Sequence, residues 1–97
     1  MIEKIEQHIL NHIDHMVESG TEDQLFAGGY LRGHITLSVA LLEQQRKVAA
    51  EDLQFQVEQS LSEAIEAGEL SPPDQVLVMA LWQNLFQQAL SEVRPEK

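Results

Sequence analysis

The chain has 97 residues, with 16 acids, 6 Lys and Arg, 4 His, no Cys and a formal net charge of -10. That length bounds a single domain, residues 1–97, because two cores would each be too small to stand alone. The charge repels phosphate backbones and anionic membrane surfaces, so neither nucleic-acid nor membrane binding is expected. Without cysteine there are no disulfides, thiolate metal sites or thiol nucleophiles.

In chain order, Ile2, Ile5, Ile9, Ile13 and Met16 recur at helical spacing. Acids and histidines interleave with them, unlike a signal peptide, and no uninterrupted apolar run reaches the roughly 18 residues of a membrane span. A soluble cytoplasmic protein is the expectation. Gly20 should end this helix with a left-handed cap. Thr21 with Gln24 has the spacing of a capping box, which predicts a short helical segment near residues 21–28. Gly28 and Gly29 should then interrupt the chain before a helix resumes over Tyr30–Gln45. Arg46–Ala50 reads as a connection. Leu53, Val57, Leu61, Ala64 and Ile65 form the stripe of the next helix, which Gly68 should stop. Ser71-Pro72-Pro73-Asp74 combines a cap, a proline at the first helical position and an acid at the positive helix end. The last helix should run to about Glu92, leaving a frayed tail at 94–97. The expected fold is all-α: a compact antiparallel bundle of four main helices plus the short segment at 21–28.

Three stretches carry a resemblance: Phe26-Ala27-Gly28-Gly29-Tyr30-Leu31-Arg32-Gly33-His34-Ile35-Thr36-Leu37, Gly68-Glu69-Leu70-Ser71-Pro72-Pro73-Asp74-Gln75, and Trp82-Gln83-Asn84-Leu85-Phe86-Gln87-Gln88-Ala89. In these the chain resembles the YfcL family of small gammaproteobacterial proteins, over nearly its whole length. The resemblance implies a cytoplasmic all-α domain of about this size, and it brings no catalytic residues and no cofactor.

Four features bear on function. His8, His12 and His15 form a narrow stripe on the first helix, where imidazoles one turn apart can share a zinc or nickel ion or can simply mark the boundary of the core. Tyr30, Arg32 and His34 offer a polar pocket for a small anion, although Arg32 points about 160° from Tyr30 on a helix and has a simpler role as an ion-pair partner. Gly29, Gly33 and Ala40, with Thr36 between, give a small-residue side suited to close packing, by another helix of the chain or by another subunit. Finally, Val76, Leu77, Ala80 and Leu81 lie opposite the core stripe of the last helix. Either the 21–29 segment encloses them, or they face a partner. No nucleophile–base constellation, phosphate loop or nucleophile elbow occurs, so enzymatic activity is not expected.

Between Val48 and Val93 there are eight acids and no Lys or Arg. The functional expectation is an interaction module whose apolar strip on the last helix, rimmed by acids, meets a protein partner with a basic surface, or a second copy. A metal or small-anion binder is the alternative.

Overall fold

The computed structural model describes residues 2–93, and the backbone alone of residues 17 and 19. The tail expected to fray at 94–97 lies outside the described residues. Four helices follow in order: α1 (Ile2–Ser19), α2 (Glu22–Gln44), α3 (Ala50–Glu66) and α4 (Pro72–Val93). No strand occurs among the described residues.

Local signals set the helix starts. The Thr21 hydroxyl accepts from the Gln24 amide at 3.2 Å, and the Gln24 side chain accepts from the Thr21 amide at 2.9 Å. This capping box satisfies amides that the helix leaves unpaired. The helix it starts does not stop at Gly28 and Gly29 but continues to Gln44. The segment at 21–28 is thus the first two turns of α2, because two glycines weaken a helix without breaking it when flanking residues are packed. At α4, the Ser71 hydroxyl accepts from the Asp74 amide at 3.4 Å, and Pro72 occupies the first helical position.

Helix ends follow a different chemistry. α1 does stop at Gly20, but not in a left-handed conformation: among the described residues only Gly68 (φ 80°) and Arg46 (φ 62°) have positive φ. Gly20 matters for room, since a Cβ there would run into the Met16 carbonyl oxygen. α2 and α3 close with the same motif. Lys47 N donates to Leu42 O at 2.9 Å and Arg46 N to Glu43 O at 3.1 Å; Glu69 N donates to Ala64 O at 3.1 Å and Gly68 N to Ile65 O at 3.0 Å. In both, the residue after the cap is left-handed.

The core draws one stripe from each helix. Ile5, Ile9, Leu31, Ile35, Leu53, Val57, Leu61, Val78 and Trp82 are fully buried. Trp82 packs its ring 5.0 Å from Phe86 and donates Nε1–H to Glu58 Oε2 at 3.1 Å, so its one polar atom is not stranded. α2 packs against α1, α3 and α4, and α1 also packs against α4, while α3 barely meets α1. By length and composition alone α2 could cross a membrane, with a mean hydropathy of 1.2. Here its Leu31, Ile35, Val39 and Leu42 form the central wall of the core. The Cα envelope measures 40 × 30 × 18 Å. An 18 Å thickness holds two helix layers and no more, so every helix keeps a solvent side.

The two matched helix ends make a paired test. Gly68→Ala should cost about 1 kcal/mol, and Arg46→Gly should gain a similar amount, both read from urea unfolding midpoints.

Candidate interaction surfaces

The expected strip on α4 divides. Val76 is 70% exposed and Ala80 is open, whereas Leu77 and Leu81 are half-buried and rest against the core cluster. The segment at 22–29 is helix rather than loop, and both side chains pack against the core cluster. The outer side of α4 is uncharged from Gln75 to Ser91.

A more conspicuous residue is Phe55. It is 67% exposed on α3, whose other large apolar side chains at 53, 57 and 61 are fully buried. It heads an open groove along that helix lined by Glu58, Gln59, Ser62, Glu63 and Glu66. Reading the sequence for stripes passes over Phe55, since it belongs to none. Its position about 200° from Leu53 on the helix is the signal that it faces away from the core.

The histidine stripe stays on the surface of α1. His8 is half-buried, and His12 and His15 are exposed. The His15 ring lies with Nδ1 2.9 Å from the Asn11 carbonyl oxygen, which accepts its N–H. Among the described residues no three His, Asp or Glu side chains gather closely enough to hold a metal ion.

Tyr30, Arg32 and His34 do not converge on one pocket. Arg32 reaches α1, where its Nη1 sits 3.2 Å from Asp14 Oδ1 in a largely exposed ion pair. Such a pair contributes about 0.2–1 kcal/mol. Tyr30 and His34 turn the other way, as their spacing requires. The Tyr30 hydroxyl donates to Glu69 Oε1 at 2.7 Å, and His34 Nδ1 shares a hydrogen bond of 2.6 Å with the Ser60 hydroxyl. Their rings are 4.7 Å apart, and Phe26 continues the row 5.9 Å from Tyr30. The left-handed Gly68 turn is what delivers Glu69 to Tyr30. Burial pushes the Tyr30 hydroxyl up to about 12, helped by its hydrogen bond to Glu69 and by that carboxylate's charge. Burial also lowers the His34 imidazole, against the pull of Glu69.

Between Arg32 on one flank and Tyr30 and His34 on the other runs the small-residue side of α2. Of the two expectations for it, packing by another helix of the chain or by another subunit, the first is not met: Gly29, Gly33, Thr36 and Ala40 all face solvent. The reason is angular: Leu31, Ile35, Val39 and Leu42 on the opposite side take up the core contacts. Two shallow depressions meet there, sharing Gly29, Gly33 and Leu37. Leu37 is 59% exposed, and Phe26 is 42% exposed. A Cβ added at Gly29 or Gly33 would meet nothing within 4 Å. At Gly28, by contrast, it would lie 3.1 Å from Ile13 Cγ2, so that glycine admits α1.

Two tests follow from this geometry. Gly29→Ala and Gly33→Ala should each stabilise the dilute protein by about 0.8–1 kcal/mol through helix propensity, while Gly28→Ala gains less because its methyl presses on Ile13. A raised Tyr30 pKa means the folded state favours the neutral phenol. That stability is present below the unfolded value of 10.0 and is lost as pH rises through it toward about 12. For His34 the folded value is depressed, so its contribution is present above 6.5 and is lost as pH falls below. Tyr30→Phe should flatten the alkaline loss and His34→Gln the loss below pH 6.5, both followed by denaturation at stepped pH.

Comparison with known proteins points one way. The family model described as YfcL protein matches residues 3–87. A relative from Escherichia coli (strain K12), named Uncharacterized protein YfcL, is 54% identical over 89 residues, covering 92% of this chain and 97% of its own. No solved structure matches. With most of its length, including the Gly-rich stretch of α2 and the Ser-Pro-Pro start of α4, inside that match, the chain belongs to the YfcL family.

Proposed function

We propose that the protein is a docking module that holds a basic segment of another protein against its acidic half. The exposure of Phe55 is the observation that carries this reading. A phenyl ring left 67% open at the head of a groove lined by Glu58, Glu63 and Glu66 has the make-up of an anchor with a charged rim. Burying such a ring contributes about 1.5–3 kcal/mol, whereas each exposed charge pair adds about 0.2–1 kcal/mol. The ring therefore supplies the hold, and the carboxylates supply steering and selection.

The charge distribution supports a basic partner. From Val48 to Val93 the chain carries eight acids without one Lys or Arg. Trp82 Nε1–H binds one oxygen of Glu58 and so orients that carboxylate beside the groove. Val76, 70% exposed on α4, offers a second apolar contact with the open Ala80. Leu77 and Leu81 serve the core first and lie behind it.

Affinity capture from native extract tests the reading, with immobilised wild type beside Phe55→Glu. The wild type should retain a specific protein at low salt and release it at high salt, and Phe55→Glu should not retain it. Equal retention by both, or retention unchanged by salt, would contradict the proposal.

A further inference from the structure

We infer that α2 forms a reversible dimer seam, packing antiparallel against α2 of a second copy across a two-fold axis at Gly33. The inference is independent of the docking proposal for α3.

The glycines demand an explanation outside the chain. Gly29 and Gly33 sit mid-helix with open space where each Cβ would be, so no contact among the described residues requires them. They lie between two large apolar side chains, Phe26 and Leu37, that are 42% and 59% exposed. Removing side chains at the centre of such a face lets another helix approach at the short end of the roughly 8–10 Å range of interaxial distances.

The order of residues selects the occupant. Around Gly33 an antiparallel two-fold sets Leu37 against Gly29 and Phe26 against Ala40. Each large residue meets a small one, and one surface provides both halves, as an isologous contact must. A parallel pair would instead set Leu37 on Leu37 and Phe26 on Phe26.

Charge is compatible with a second copy on this face. Between Asp23 and Glu43 the only ionised side chain of the Lys, Arg, Asp and Glu set is Arg32, in a chain of net charge -10. Two copies can therefore meet along most of the helix without stacking carboxylates. Acids flank the seam at Glu22 and Glu43. The copies repel at long range, and added salt should strengthen the dimer by screening that repulsion. This is the opposite of the salt response expected for a basic partner on α3.

The face from Phe26 to Ala40 covers about 22 Å of helix, which places the interface at the low end of specific contacts, under about 1,200 Å² in total. A dimer of that size dissociates readily.

Sedimentation equilibrium over a concentration series, at low and high salt, tests the proposal. Wild type should self-associate, more tightly at high salt. Gly33→Leu, at a position where an added Cβ would meet no described atom within 4 Å, should raise the dissociation constant at least tenfold with circular dichroism and melting showing a folded monomer. Phe55→Ala should leave the constant unchanged. Wild type that stays monomeric at both salts, Gly33→Leu that dimerises like wild type, or a dimer weakened as much by Phe55→Ala would each overturn the seam.

Discussion

α2 is the wall on which the other three helices lean. Its Leu31, Ile35, Val39 and Leu42 accept contacts from α1, α3 and α4, so those helices must gather on one side of it. With two layers in an 18 Å thickness, no element among the described residues is left to lie across its other side. The same shortage of cover applies to α3 and α4. Every helix of this small domain presents a finished surface to water, and what that surface carries is a matter of function as much as of folding. Scattered apolar residues on a surface need no explanation. A phenyl ring in an acidic groove, and two glycines set between Phe26 and Leu37, are organised enough to need one.

The two surfaces answer to different physics. On α3 the charge is negative and uncompensated, and the exposed Phe55 ring, the proposed anchor, lies within it. Attraction there begins at a distance and should weaken as salt rises. On α2 the face is nearly uncharged, and the contribution comes from shape at short range. Both can operate in one molecule because they lie on different helices. The row formed by Phe26, Tyr30 and His34 ties α2 to Ser60 on α3 and to Glu69 in the following turn, so the two faces are held in a fixed relation by hydrogen bonds of 2.6 and 2.7 Å.

Features decided within a few residues were legible in the sequence. The Thr21–Gln24 capping box, the Ser71-Pro72 start and the stop at Gly68 each rest on local geometry, and each stands in the structure. The core stripes were legible too, because periodicity reports which side of a helix is apolar. What periodicity leaves open is which side is covered when a helix is apolar on both. That is why exposed Leu37 and half-buried Leu81 could not be told apart by pattern, and why the Gly29–Gly33 side, suited to packing by another helix of the chain or by another subunit, faces water. Gly28 and Gly29 illustrate the same point at neighbouring positions: one admits Ile13 of α1, and the other has no described atom within 4 Å of where its Cβ would be. Phe55 escaped notice because a search for stripes discards what lies off them.

The central claim is that Phe55 and Leu37 belong to open surfaces of a well-packed protein, and hydroxyl-radical footprinting of the dilute chain tests it most directly. The account predicts rapid labelling at Phe55 and Leu37 while Trp82, intrinsically the more reactive side chain, stays protected in the core. Raising the concentration should then protect Leu37 and leave Phe55 unchanged. Protection of Phe55 in the dilute protein, or labelling of Trp82 as fast as Phe55, would contradict it.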